Sequence, residues 1–141
     1  MKKVFWDTNI VLDFMLSRLP WNLQAARIYS YASSYKFSLC CSTLSLATLS
    51  YYLEREHIPA EDIFDKISDF ISVCIPTTVD VNVAKSALKS PFKDFEDAMQ
   101  YFSAVSEGCD VIITRNKKDF LESKIPVLEP QEFLDSFYEE D

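Results

Sequence analysis

A chain of 141 residues, 48% of them hydrophobic, has the length of one ordinary domain and ample material for a core, which excludes a disordered segment. A formal net charge of −8 excludes nucleic-acid binding by bulk positive charge, because such binding relies on clustered Lys and Arg. Nucleic acid is not excluded as a substrate, since bound divalent cations can reverse the sign of a local site.

The apolar pattern predicts short strands that alternate with helices. We predict strands, in chain order, at 3–6, 36–42, 73–78, 110–116 and 125–130, with 73–78 open between a strand and an extended connection. We predict helices at 10–16, 22–35, 43–56, 59–72, 80–89, 93–107 and 131–138, before a frayed acidic end at 139–141. This order predicts one domain over residues 1–141, with a parallel sheet covered on both faces.

Glycine, cysteine and hydropathy exclude further classes of protein. Gly108 is the one glycine in the chain, whereas a P-loop or a dinucleotide-binding turn needs several. The four cysteines form no CxxC pair, and Cys40 and Cys41 lie in an apolar run, which favours buried thiols. The chain shows no signal-peptide pattern and no apolar run near ~20 residues, so we expect a soluble, cytoplasmic protein without a membrane partner.

Polar side chains follow two apolar strands where each strand ends. Asp7 comes directly after the first strand, and Thr114 and Asn116 follow the strand that begins at 110. Asp119 comes one helical turn later. Because ligands of a parallel sheet bind at the carboxyl ends of its strands, we expect these residues to lie close together.

The helix at 93–107 contributes further carboxylates. At 100° per residue, the predicted core stripe contains Phe95, Ala98, Met99, Phe102 and Val105. Asp94, Asp97 and Tyr101 form a second stripe at its edge. The helix dipole accounts for part of this pattern, since it favours acids in a first turn. Asp97 borders the apolar face, however, where an ionised group requires a cation, a donor or a ligand.

These acids together favour a metal site. Singly, Asp7 is explained by a helix cap and Asp119 by a surface turn, but Asp97 arrives from a third element. Clustered carboxylates raise one another's pKa unless a cation lies between them, and Mg²⁺ or Mn²⁺ suits all-oxygen ligands. Such an ion can activate water and shield the leaving oxygen of a phosphodiester without any histidine, cysteine or glycine-rich loop.

Three segments, in order and at the right spacing, resemble one family: "VFWDTNIVLDF", "KDFEDAMQYFSA" and "DVIITRNKKDF". They are similar to the PIN (PilT N-terminus-like) domain, and most closely to the bacterial toxin branch related to the VapC ribonucleases. The resemblance implies a three-layer α/β/α sandwich with a mostly parallel central sheet, and Mg²⁺- or Mn²⁺-dependent cleavage of RNA. It also implies a cognate antitoxin protein that blocks the site, and a homodimer.

The resemblance also implies a role for each matching residue. Asp7, Asp97 and Asp119 correspond to catalytic, metal-binding acids. The polar residues that orient these acids or their waters correspond to Thr8, Asn9, Thr114 and Asn116, and Asp94 is an outer member of the site. We further expect Arg115, Lys117 and Lys118 to guide an RNA backbone, with plain solubility as the alternative, and Tyr29, Tyr51 and Tyr52 to serve the homodimer.

One position departs from the family. In "SLATLSYYL", Thr48 stands where the family usually has a glutamate. Glu54 lies six residues further on, ~9 Å along the helix axis, and cannot replace that glutamate. Asp13 is an alternative acid that could face the cleft, but its position does not match the family glutamate. The departure leaves two functions open: a metal-dependent endoribonuclease of a toxin–antitoxin pair, or a weakened PIN-like module that binds RNA or a protein without cleavage.

A phosphatase fits the sequence less well than either function. The haloacid-dehalogenase pattern requires a second aspartate where Asn9 stands. A receiver domain requires paired acids near its first strand and a lysine after a late strand, where this chain has Thr114 and Arg115.

Overall fold

The structure is a computed structural model that describes residues 1–140, without the side chains of 138–140. The predicted fraying at 139–141 therefore lies outside the described part of the chain, apart from the backbone of residues 139 and 140. The strands are β1 (Lys3–Trp6), β2 (Ser38–Ser42), β3 (Cys74–Thr77), β4 (Val111–Ile113) and β5 (Val127–Leu128). The helices are α1 (Thr8–Met15), α2 (Asn22–Ser33), α3 (Thr43–Arg55), α4 (Ala60–Ile71), α5 (Val81–Leu88), α6 (Phe95–Ser106) and α7 (Pro130–Glu140), with a short 3₁₀ turn at Lys117–Phe120.

The five strands form one sheet in the order β3-β2-β1-β4-β5, and every neighbouring pair is parallel. β1 is central, with Val4 opposite Leu39 of β2 and Val111 of β4. All five strands therefore end at the same edge of the sheet, which places the residues after β1 and β4 side by side. The open alternative at 73–78 is settled as a strand.

Side chains of β1 alternate between two cores. Val4 and Trp6 pack with residues of α1, α2, α3, α4 and α7 on one face of the sheet. Phe5 packs on the other face, with Tyr101 and Ala104 of α6. The predicted three-layer α/β/α sandwich with a parallel central sheet is thus confirmed. The four cysteines are free and buried, as expected, and no described helix is long and apolar enough to cross a membrane.

Polar caps fix several helix ends. Asp80 accepts a hydrogen bond from the backbone N–H of Val83 at 3.0 Å, and Asp94 caps α6 in the same way. Gly108 follows α6 with φ of 75°, the left-handed conformation in which glycine has no steric penalty. α1 begins at Thr8, two residues before the predicted start, because Asp7 is its N-cap.

The predicted core stripe of α6 is wrong at two positions. Phe95 and Val105 of the predicted core stripe are 46% and 42% exposed. The face of α6 that is buried consists of Ala98, Gln100, Tyr101, Ser103 and Ala104. Small residues allow close approach to the sheet, and the polar members are buried because they find partners. Tyr29, predicted to serve a homodimer, is half-buried and stacks on Phe14 against the core, at 4.4 Å between ring centroids.

Candidate active site

A cavity of about 360 Å³ opens where β1 and β4 end. It is lined by most of the residues predicted for the site: Asp7, Thr8, Asn9, Thr48, Asp94, Asp97, Asn116 and Asp119. Leu12, Tyr52 and Glu96 complete the wall. The structure therefore brings acids from three separate elements to one place, which we call the acidic cavity. These elements are the end of β1, the start of α6 and the 3₁₀ turn after β4.

Asp7 is the buried centre of this cavity, with only 6% of its surface exposed. One carboxylate oxygen accepts the backbone N–H of Thr8 at 2.8 Å, and the other accepts the hydroxyl of Thr114 at 2.9 Å. Burial is the main cause that raises the pKa of Asp7 to about 6, and the negative charges of Glu96 and Asp119 raise it as well. The two hydrogen bonds act in the opposite direction and lower this pKa. Thr114 thus supports the site from beneath the cavity wall.

Asp97 is half-buried in the first turn of α6, and its environment also disfavours a negative charge. Burial is the main cause that raises its pKa to about 7, and the carboxylates of Asp94 and Asp7 are the next causes. Asp94 accepts the backbone N–H of Asp97 at 2.9 Å, so it is both the cap of α6 and a negative neighbour. Neighbouring carboxylates are thus among the main causes that raise both pKa values, and the main causes include no cationic side chain.

Glu96 is the site residue that sequence reasoning missed. It lies on the cavity wall and raises the pKa of both Asp7 and Asp97. On an ideal helical wheel it falls 100° from Asp97, yet both residues line this cavity, which lies at the start of α6. The adjacent Glu-Asp pair in "DFEDA" was the available signal.

A buried polar network underneath holds the cavity together. The side chain of Gln100 donates to the hydroxyl of Thr8 at 2.8 Å, and that hydroxyl lies 2.7 Å from the hydroxyl of Ser45. Ser42 donates to the Gln100 carbonyl oxygen at 2.8 Å. These contacts tie α6 to the starts of α1 and α3. Because the Thr8 hydroxyl is engaged in this network, the backbone N–H of Thr8 is the group that contacts Asp7. Residue types alone could not reveal this difference.

The two predicted asparagines differ in their roles. The buried side-chain oxygen of Asn9 has no hydrogen-bond partner among the described residues, although it lies at the cavity. Asn116 is exposed; its backbone N–H donates to Thr114 and its carbonyl accepts from the N–H of Asp119. Asn116 therefore shapes the turn that presents Asp119, whereas Asn9 offers an unsatisfied oxygen.

Thr48, at the departed family position, does line the cavity. Its hydroxyl donates to the carbonyl of Leu44 in its own helix at 3.2 Å, so Thr48 brings a neutral oxygen to the wall and not the negative charge of a carboxylate. Among the described side chains, those of residues 1–137, no three His, Cys, Asp or Glu converge closely enough to hold a metal ion as they stand. The donor set nevertheless suits a hard cation. It consists of oxygen donors only, two acids have raised pKa values, and the oxygen of Asn9 lacks a donor.

The basic residues only partly follow the prediction. Arg115 turns away from the acids, and its guanidinium binds the buried Asp13 at 2.7 Å. Arg18 binds the same carboxylate at 3.0 Å, so Asp13 does not face the acidic cavity. Lys117 pairs with Glu132 at 3.1 Å. Lys118 does lie beside the site, in a smaller cavity that it shares with Lys93, Asp94, Asp97 and Asp119.

Sequence comparisons find similar proteins across nearly the whole chain. A family model described as "PIN domain" matches residues 3–118. "Ribonuclease VapC1" of Aquifex aeolicus (strain VF5) is 31% identical over 142 residues, which cover 95% of this chain and 94% of that protein.

Solved structures share the fold at lower identity. A toxin–antitoxin complex from Klebsiella pneumoniae matches with 21% identity and a TM-score of 0.66, covering 90% of this chain and 97% of the other. VapBC-1 from nontypeable Haemophilus influenzae matches with 17% identity and a TM-score of 0.66, covering 92% and 98%. VapC20 of Mycobacterium tuberculosis, a toxin that cleaves the sarcin-ricin loop, matches with 14% identity and a TM-score of 0.58, covering 77% and 86%.

Proposed function

The chain belongs to the PIN domain family, as its three sequence motifs indicated, and we propose that it is a metal-dependent endoribonuclease acting as the toxin of a toxin–antitoxin pair. We propose one PIN-like domain over residues 1–141 and an action on RNA in the cytoplasm. The observation that carries the proposal is the meeting of Asp7, Asp97 and Asp119 at one cavity, among oxygen donors only.

The proposed cofactor is Mg²⁺ or Mn²⁺, held by Asp7, Asp97 and Asp119. When bound, this ion would activate the attacking water and stabilise the charge that develops on the phosphodiester oxygens. The carboxylate of Asp7 is held in a fixed orientation for this role, because one of its oxygens accepts a hydrogen bond from Thr8 and the other accepts one from Thr114. The raised pKa of Asp97, about 7, means that it would release a proton when a cation is loaded at neutral pH.

We propose that Glu96 replaces the acid that is absent at Thr48. Its exposed side chain lies on the wall of the same cavity, and its charge reaches both Asp7 and Asp97. Asp94 fixes the start of α6 and so positions both first-turn acids. Lys93 and Lys118, on the far side of Asp97, are placed to receive a phosphate of the RNA backbone.

An RNA-cleavage assay tests this function. A mixed pool of structured RNAs is incubated with the wild type in EDTA, Mg²⁺ or Mn²⁺, and with two variants. We expect metal-dependent cleavage that Asp97→Asn lowers by at least ~10²-fold, since loss of a group acting on the reacting atoms typically costs this much. The matched control is Asp62→Asn, because Glu61 and Asp62 form the same pair in the first turn of α4, away from the cavity.

The binding-only alternative is motivated by Thr48, and the same assay decides it. Cleavage equal in EDTA and Mg²⁺, or equal in wild type and Asp97→Asn, would contradict the proposed metal site. RNA binding without cleavage, even after Thr48→Glu, would favour the binding module. The proposed partners are an antitoxin protein that covers the acidic cavity and a second copy of this chain; Tyr51 and Tyr52 are exposed and remain candidates for such contacts.

A further inference from the structure

A second cavity, of about 270 Å³, has no part in the proposed cleavage. Its lining residues are Trp21, Gln24, Arg115, Glu129, Pro130 and Gln131. Arg115 connects this second cavity to the acidic cavity through its neighbours in sequence. Thr114 donates a hydrogen bond to Asp7, and Asn116 lines the acidic cavity. Consecutive Cα atoms are ~3.8 Å apart, so the two cavities are neighbours on the same edge of the sheet.

Trp21 presents a fixed aromatic plane in this second cavity. The guanidinium carbon of Arg115 lies 4.1 Å from the centroid of the Trp21 ring, a cation–π contact. Arg115 is itself immobilised, since two of its nitrogens donate to the carboxylate of buried Asp13 at 2.7 and 3.2 Å. Trp21 nevertheless remains 43% exposed. An immobilised, exposed indole is a surface on which an unstacked nucleobase packs.

The lining of this cavity includes polar groups that form no hydrogen bond with another described residue. The indole N–H, the side-chain amide of Gln24 and the Nη1 of Arg115 make no hydrogen bond to any described residue, and neither does the carboxylate of Glu129. The edge of a base carries both donors and acceptors and can satisfy such a set. An apolar side chain of a protein partner would leave these groups buried and unpaired, which costs free energy, so the lining favours a base.

We propose that this cavity is a nucleobase subsite, in which a base adjoining the scissile phosphate stacks on Trp21 beside Arg115. The inference rests on the proposed ribonuclease function and extends it from the reacting phosphate to a neighbouring nucleotide. Because stacking tolerates any base, the subsite increases affinity for single-stranded RNA and selects little among sequences.

Trp21 also provides the measurement, because the one other tryptophan, Trp6, is fully buried. Tryptophan emission and the anisotropy of a fluorescein-labelled, mixed-sequence RNA hexamer are followed with Mg²⁺ in an Asp97→Asn background, which keeps the RNA intact. We expect saturable quenching of emission, absent when Trp21→Phe is added. Trp21→Ala should bind about 5- to 150-fold more weakly, the range found for loss of one base–aromatic stack.

Two further variants distinguish a loss of RNA affinity at the subsite from a loss of folding. Gln24→Ala leaves the contact between Trp21 and Arg115 in place and should weaken binding about 2- to 10-fold. Phe64→Ala removes an exposed aromatic of α4 and should bind like the background. RNA binding with unchanged emission, and unchanged affinity in Trp21→Ala and Gln24→Ala, overturns the subsite and leaves the cavity to a protein partner. Absence of RNA binding in every protein overturns the ribonuclease proposal as well.

Discussion

Asp7 and Asp13 are two buried aspartates at either end of one short segment, and the fold treats them in opposite ways. Asp13 receives two guanidinium groups, from Arg18 at 3.0 Å and Arg115 at 2.7 Å. Asp7 receives only a backbone N–H and a hydroxyl, and it faces the negative charges of Glu96 and Asp119. Burial accordingly raises the pKa of Asp7 to about 6.

From this difference we interpret Asp13 as a structural carboxylate and propose Asp7 as a functional one. A buried charge with matched counter-ions is satisfied within the fold and requires nothing from outside. A buried charge among like charges is held at a cost, and that cost is recovered when a cation binds. Arg115 and Asn116 are adjacent in sequence, so one short loop supplies the counter-ion of the first site and part of the wall of the second.

The largest expected effect is on stability, from removing the charge of Asp13. Asp13→Asn leaves two guanidiniums without their shared partner and should lower the free energy of unfolding by about 3 kcal/mol, or roughly 10 °C in Tm. Asp7→Asn is the matched variant. It should not lower metal-free stability, because it removes a buried charge that is held at a cost and Thr114 can turn its hydroxyl to accept from the new amide. Thermal unfolding in EDTA measures both, and equal losses would contradict the distinction between the two sites.

Glu96 gives the next largest effect, on metal affinity. Glu96→Gln should weaken Mg²⁺ binding about 10-fold, because one carboxylate of the cavity is lost, a change of about 1.4 kcal/mol. Isothermal titration measures the affinity, with Glu61→Gln in the first turn of α4 as control. Adding Thr48→Glu should restore the affinity by returning an acid to the usual family position. If Glu96→Gln and Glu61→Gln bind alike, Glu96 is not a replacement for that acid.

The acidic cavity was largely predictable from sequence, because it depends on where apolar strands end. Asp7 follows β1 directly and Asp119 lies in the 3₁₀ turn after β4, and parallel strands that share an edge must bring such residues together. The burial of α6 was not predictable from hydrophobicity, since Gln100 is buried and Phe95 is exposed. That choice depends on partners distant in sequence, such as Ser42, which no local periodicity encodes.

The contacts of Arg115 could not be predicted for a similar reason. A cation next to site acids in sequence was expected to face the RNA backbone, but its nearest buried carboxylate is Asp13, 102 residues earlier in the chain. Only the fold shows that β1 and β4 are neighbours and that α1 carries Asp13 to the side away from the acidic cavity.

The smallest predicted effect concerns pH and the metal-free protein. The folded pKa of Asp97, about 7, lies above its ordinary value of 3.8, so the native state holds a proton that the unfolded chain has released. Its contribution to stability is therefore complete below about pH 4 and is lost as pH rises through 7. Asp97→Asn should flatten this decline and stabilise the metal-free protein at pH 8 by about 0.5–1 kcal/mol, a value reduced for solvent screening.

Unfolding curves in EDTA at pH 5 and pH 8 measure this effect, with Asp62→Asn as the control for loss of an exposed charge. If the wild type and Asp97→Asn lose stability equally between these two pH values, Asp97 is not the group responsible. The sign is informative by itself, because a carboxylate that was ion-paired in the native state would give the opposite slope.

The most direct test of the central claim, that the uncompensated acids form a cation site, is the shift in Tm caused by Mg²⁺ at pH 8. At an ion concentration of about 100 times Kd, the wild type and Asp62→Asn should gain about 2.7 kcal/mol of stability, and Asp97→Asn should gain much less. A wild-type Tm that is the same in Mg²⁺ and EDTA, or an equal shift in all three proteins, would contradict the account.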